Sequence, residues 1–349
     1  MKKCVGFLIV MCIILGGCLN QEHTEPHYEP SDEHGIGPDN HFHVLKGVSL
    51  SPRSFESSDF TKFFEEAKHT GSIVSWAGDW NDLGTDNGAP TVVTELASGY
   101  GYIPLIIAHF FIQSEGKLVR PLNEETKQHY LTSAVLFAEK YTPQYLAFGI
   151  EVNVLYEKSP QDFDEFVTFY SEVYDAVKAK SPTTKVFTIF QLERMKGLHG
   201  GLFGGVNDLD ATEWWLLDRF PKSDIIGFTT YPGLIFGDPS DIPPNYYTEI
   251  TLYTEKPVAF TEIGWHSSAA IPGWESSEVE QADFVEAFSR LTKDVNMEIA
   301  IWSFLYDPDL FEPFASMGLR RSDGNARLAW DAWVSSEWNS KLRKWLARE

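Results

Sequence analysis

Residues 144–153 read QYLAFGIEVN: four apolar residues follow a polar one, then come Gly149, Ile150 and, last before a valine, Glu151. A run of that length, bounded by Pro143 on one side and Gly149 on the other, suits a short strand buried on both faces. An acid that closes such a run stands where the strand meets a loop. The same grammar repeats outward in both directions. Strands are predicted at 44–50, 72–76, 102–109, 144–151, 185–191, 224–229, 257–263 and 298–304. Amphipathic stretches near 58–69, 90–98, 123–140, 159–180, 211–220, 245–254, 276–293 and 324–336 read as the helices that follow them. Eight strand–helix repeats in roughly 300 residues place the chain in the α/β class, as a single (β/α)8 TIM barrel. A doubly wound sheet and a two-lobed binding protein are the competing architectures. The Gly-rich stretch from Leu192 to Asp210 reads as a long loop.

Reactive residues in such a barrel sit at the C-terminal strand ends, on one rim. Four strand ends carry informative residues: Glu151 and Asn153 after the fourth, Tyr231 after the sixth, Glu262, Trp265 and His266 after the seventh, and Trp302 at the eighth. Each glutamate follows an apolar run that would bury it, and a buried carboxylate is costly unless it is partnered or used. The stretch SWAGDWND (75–82) adds Trp76 and Trp80 as rim candidates, with Asp79 and Asp82 read as turn formers. His109 ends the third strand and Glu193 follows the fifth. The histidine reads as cleft-lining or as a buried structural residue, the glutamate as a solvated loop acid.

The paired acids at strands four and seven resemble the arrangement of glycoside hydrolase clan A, the retaining barrels. TEIGW (261–265) is similar to the nucleophile motif common in that clan, and DIIGFTTYP (224–232) resembles the sixth-strand segment of family 53, the endo-β-1,4-galactanases. GIEVN (149–153) is loosely similar to that family's Gly-Asn-Glu segment. One position departs: the clan usually has Asn directly before the acid/base, where it binds the sugar's 2-hydroxyl, and here that residue is Ile150. Asn153 is the available substitute.

The resemblance implies Glu262 as nucleophile and Glu151 as acid/base, with Tyr231 donating a hydrogen bond to Glu262. A retaining pair stands about 5–5.5 Å apart, so that one carboxylate attacks the anomeric carbon while the other protonates the leaving oxygen. Trp302, Trp265, Trp76 and Trp80 are then candidates to stack on sugar faces, or else packing residues of the core. No cofactor or metal is expected. Phosphate-cradling glycine loops, HExxH, CxxC and GxSxG are all missing from the sequence, which argues against kinases, zinc proteases and hydrolase-fold esterases.

The ends bear on location. Residues 1–17 start with Lys2 and Lys3, continue with an apolar run, and finish Leu15-Gly16-Gly17 before Cys18. The pattern reads as an export signal, too short to span a bilayer comfortably, and resembles a lipobox that would place a lipid on Cys18. All three cysteines lie here, at 4, 12 and 18, so the rest of the chain relies on its core rather than on disulfides. Residues 18–43 are polar and rich in Pro and Gly, a tether whose five histidines match no metal-ligand spacing, and 44–349 form the barrel. The formal net charge is −22. Loss of 1–17 removes Lys2 and Lys3 and leaves 26 basic against 50 acidic residues, the wrong sign for nucleic acid or an anionic lipid surface. A neutral carbohydrate substrate is compatible, membrane contact through a lipid is expected, and the chain reads as a monomer. The rival function is a carbohydrate-binding surface lipoprotein or transporter-associated receptor without catalysis.

Overall fold

The computed structural model describes residues 41–336 and 339–341, and for 41–43 and 339–341 the backbone alone. Residues 1–17, Cys18 and the tether to residue 40 lie outside the described residues.

Eight parallel strand runs form the barrel: β1 (Leu45–Ser49), β2 (Ile73–Asp79), β3 (Ile103–His109), β4 (Tyr145–Phe148), β5 in two pieces (Lys185–Phe187 and Ile189–Gln191), β6 (Ile226–Thr230), β7 (Val258–Ile263) and β8 (Met297–Trp302). The first piece of β5 pairs with β4 and the second with β6. Only Thr188 separates them, and its carbonyl accepts from Gly227 N–H at 3.1 Å, so the fifth strand itself closes the sheet. All eight strand expectations hold within a few residues at their ends. A two-stranded antiparallel ladder, His41–His43 with Asn339–Lys341, joins the two ends of the described chain.

Side-chain alternation sorts the apolar residues into two layers. Inside the barrel lie Ile73, Leu105, Ile107, Tyr145, Ala147, Phe187, Ile189, Ala259, Ile299 and Ile301. Their neighbours in sequence point outward into the larger core shared with the helices, as the two-residue period of a strand requires. The floor of the barrel is tied by Tyr145, whose hydroxyl donates to Glu298 Oε1 at 2.6 Å, and by the Lys185–Glu298 ion pair.

Six outer helices have the expected character: α1 (Ser57–Ala67), α2 (Ala89–Tyr100), α3 (Glu124–Tyr141), α5 (Pro160–Lys180), α7 (Glu278–Thr292) and α8 (Leu328–Ser335). Asn123 and Ser277 cap α3 and α7 by accepting from the Thr126 and Glu280 amides, contacts worth about 1 kcal/mol each. Two expected helices fail. Residues 211–220 form a 3₁₀ turn over Trp214–Arg219, and 245–254 another over Thr248–Leu252. The first is crowded by adjacent tryptophans and the second by Thr248, Ile250 and Thr251, whose branched side chains disfavour a helix. The reading of 192–210 as one loop also needs correction. It opens with a helical turn, α6 (Leu192–Met195), whose Leu192, Glu193 and Met195 are fully buried.

Candidate active site

The barrel's upper rim opens into a narrow cleft to which seven strands contribute at or just beyond their C-terminal ends: Ser49, Ala77, His109, Ile150, Tyr231, Glu262 and Ser303. Phe304 and Phe314 from the loop after β8 and Gln113 from the loop after β3 complete the wall. His109 is the one lining residue of basic type, and no lysine or arginine is among them.

Glu151 reaches the site by an unusual backbone path. Strand β4 stops at Phe148, and Gly149 turns at φ +81°. A Cβ on Gly149 would stand 2.6 Å from Val152 Cγ1, so glycine is required there. Glu151 itself adopts a left-handed conformation, φ 56° and ψ 43°, and forms the N-terminal cap position of a short unforeseen helix, α4 (Val152–Lys158). A left-handed non-glycine residue costs of order 1–3 kcal/mol and persists where the surroundings fix it. The side chain makes no capping bond and is free for another use. It is 5 % exposed, and its Oε1 accepts from Thr229 Oγ1 at 2.8 Å and from Gln191 Nε2 at 3.0 Å. Burial raises its pKa above the usual carboxylate value, against the opposing pull of Thr229, Arg194 and Gln191.

Glu262 stands beside Thr229 in the β6–β7 ladder, next to an irregularity in register. Tyr231 Oη donates to Glu262 Oε2 at 2.5 Å and also contacts Ser303 Oγ at 2.9 Å. Burial, then the charge of Glu151, push the Glu262 carboxyl up to about 7, while the Tyr231 hydrogen bond pulls the other way. Glu262 therefore feels the charge of Glu151, and the low dielectric of the site amplifies that repulsion. His109 lines the cleft with its Nδ1 unpartnered and is held neutral by burial.

Other expected rim residues are elsewhere. Trp76 and Trp302 occupy outward-facing strand positions; both are buried, and Trp302 Nε1 donates to the Met317 carbonyl at 2.8 Å. Trp80 stacks on Tyr130 and Phe148 and donates to the Tyr130 carbonyl at 3.1 Å. Trp265 stacks on Phe284 and donates to Ser276 Oγ at 3.1 Å. All four tryptophans are packing residues, not sugar platforms. Asn153 is fully buried and braces the end of β5: its Oδ1 accepts from Gln191 N at 2.8 Å and its Nδ2 donates to Gln191 O at 3.1 Å. It does not stand in for the missing asparagine, and where that residue would be the cleft wall is the apolar Ile150. Glu193, read as a solvated loop acid, is instead fully buried with its carboxyl pushed up to about 7, chiefly by that burial. The cleft residues that sequence reasoning missed are Ser49, Ala77, Gln113, Ser303, Phe304 and Phe314. For Ser303 the inward parity of Ile299 and Ile301 was a usable signal.

No family model matches the chain, and no curated protein matches it. Solved structures do. A family 39 glycoside hydrolase from the gut symbiont Bacteroides cellulosilyticus WH2 aligns with TM-score 0.56 and 15% identity, over 82% of this chain and 62% of its own. An exo-beta-1,4-mannosidase from Opitutaceae bacterium strain TAV5 aligns with TM-score 0.57 and 14% identity, over 86% and 61%. A GH5_18 protein from Streptomyces cattleya, solved in complex with Manβ1-4GlcNAc, aligns with TM-score 0.60 and 12% identity, over 83% and 79%. The chain thus spans about three fifths of the first two. At these identities the likeness establishes a shared barrel fold.

Proposed function

We propose that the chain is a glycoside hydrolase that cleaves a β-linked neutral glycan with retention of configuration, Glu262 acting as nucleophile and Glu151 as acid/base. The observation that carries this reading is the pair itself: a buried carboxylate just beyond β4 and a half-buried one on β7, the charge of Glu151 raising the proton affinity of Glu262, each held by hydrogen bonding to one oxygen. The glycosidase names of the similar structures support it, as does a cleft wall without lysine or arginine and with His109 held neutral, which gives an anionic sugar no counter-charge.

In the first step Glu262, ionised, attacks the anomeric carbon while the proton on Glu151 passes to the leaving oxygen, so one C–O bond forms as another breaks. Glu151, now charged, takes a proton from water, whose oxygen displaces Glu262 and restores both groups. The Tyr231 hydroxyl steadies the charge of Glu262 between turnovers. The endo-galactanase resemblance rests on DIIGFTTYP and TEIGW alone and names the first polymer to try. We also propose export and lipid attachment at Cys18, on the strength of residues 1–18.

The test is a screen of the purified full-length chain, in detergent, against aryl β-glycosides and neutral polysaccharides, with product anomers followed by NMR. Turnover with retention, lost in Glu262→Ala, is the expected result. Turnover that survives Glu262→Ala overturns the nucleophile, inverted product overturns the double displacement, and binding without turnover favours the receptor reading that Ile150 invites. Replacement of Cys18 by Ser is expected to move the protein from the membrane to the soluble fraction, and retention at the membrane would refute the anchor.

A further inference from the structure

The short run Gln191-Leu192-Glu193-Arg194 leaves the fifth strand and makes one turn of helix under the cleft. It carries three polar side chains, and the catalytic steps just described use none of them directly. Two point toward Glu151 and one toward Tyr231.

Gln191 donates from Nε2 to Glu151 Oε1 at 3.0 Å, and its Oε1 accepts from Arg194 Nε at 2.6 Å. The arginine fixes which end of the amide faces the glutamate, because only the oxygen can accept from a guanidinium. Arg194 is itself tied to Glu157 and lies 5.3 Å over the Phe203 ring. With Thr229 and Gln191 both donating to Oε1, Glu151 is left with Oε2 as the oxygen that can carry a proton.

Glu193 serves the other carboxylate. Its Oε1 accepts three hydrogen bonds, from Tyr231 N–H at 3.0 Å, Thr230 Oγ1 at 3.0 Å and Tyr246 Oη at 2.9 Å, while its Oε2 has no partner. A fully buried carboxylate with one oxygen idle is expensive to keep. Its contacts fix the main chain at the bend from which the Tyr231 ring reaches Glu262.

We infer that this turn is the positioning element of the site and serves the two carboxylates separately, Gln191 and Arg194 orienting the acid/base and Glu193 orienting the nucleophile through Tyr231. The roles of Glu151 and Glu262 are taken from the proposed function, so the inference rests on that reading. None of the three touches the substrate; they are positioning residues. Donors to the charged form of a carboxylate lower its pKa. Removing the Gln191 amide or the Arg194 charge therefore raises the pKa of Glu151, and Glu262, which feels the charge of Glu151, can follow only downward. Letting Tyr231 drift raises that of Glu262.

The test titrates the two side chains directly in the intact protein, by carbon-13 NMR of labelled glutamate carboxyls, assigned through Glu151→Gln and Glu262→Gln. Gln191→Leu and Arg194→Met are expected to move the Glu151 titration upward by about one pH unit, with no upward move of Glu262. Glu193→Ala is expected to move Glu262 upward by a similar amount, and Glu193→Gln, which keeps an acceptor for the three donors, to restore it. If Glu193→Ala does not fold, the Gln191 and Arg194 variants still decide the Glu151 half, and Tyr246→Phe, which removes one donor to Glu193, decides the other by a smaller upward move of Glu262. Variants that lose thermal stability with both titrations unmoved would make the turn merely structural. An upward move of Glu262 in Gln191→Leu would overturn the division of labour. Because the readout is titration and not turnover, failure of the glycosidase reading shows separately, as a wild-type protein inactive on every glycoside.

Discussion

Glu193, Glu213 and Glu262 all have carboxyls pushed up to about 7, in each case first by burial. An unfolded glutamate titrates near 4.5, so between 4.5 and 7 the folded chain binds more protons than the unfolded one. Stability contributed by these groups is therefore greatest at low pH and falls as pH rises through that window. Glu262→Gln is expected to melt a few °C above the native protein at pH 8 and no higher at pH 4.5, as thermal scans at the two pH values will show; equal melting at pH 8 would mean that the carboxylate carries no such cost. Single residues also show what the sequence made legible. Glu151 and Glu262 stood out because each is an acid closing an apolar run. The tryptophans misled because a ring beside a strand end fits core and cleft equally well. Strand parity separates the two for Trp302, since the inward isoleucines at 299 and 301 send 302 outward. For Trp80 and Trp265, which follow their strands, no such count applies.

At the scale of elements, α4 and β5 are joined by the side chain of Asn153, which satisfies both main-chain groups of Gln191. Asn153→Ala leaves the buried Gln191 N–H unpaired and is expected to lower stability by about 1–3 kcal/mol. Its affinity for a slowly cleaved glycoside should stay unchanged, since Asn153 does not face the cleft; chemical denaturation and binding titration read the two quantities. A weakened affinity would return Asn153 to the substrate site. The eight strands were readable because apolar runs bounded by turn residues have few other uses. Helix α4 was not, since nothing in GIEVN marks a left-handed glutamate, and the positive φ of Gly149 and Glu151 is set by contacts with Val152 and the surrounding core rather than by local preference. The two stretches that became 3₁₀ turns kept an amphipathic pattern while their tryptophans and branched residues disfavoured a regular helix.

Across the whole molecule, the helical coat is uneven. Long helices follow β1 to β4, β7 and β8, whereas among the described residues the arc of β5 and β6 is backed by the turn α6 and by 3₁₀ segments. Contacts that hold that arc include the Lys196–Glu249 ion pair, Trp214 stacked on Tyr253 at 4.6 Å, and Trp214 Nε1 donating to Glu249 Oε1 at 3.2 Å. It also lies between the strands that bear Glu151 and Glu262, so the gap between the two carboxylates spans the most lightly buttressed part of the wall. Local opening draws on the least-supported regions first. Heating should therefore spoil the chemistry before it melts the barrel: residual turnover is expected to vanish several °C below the calorimetric midpoint, and coincidence of the two would show the arc to be as firm as the rest. The thinly coated side is thus where added packing is expected to raise the temperature at which the proposed activity is lost.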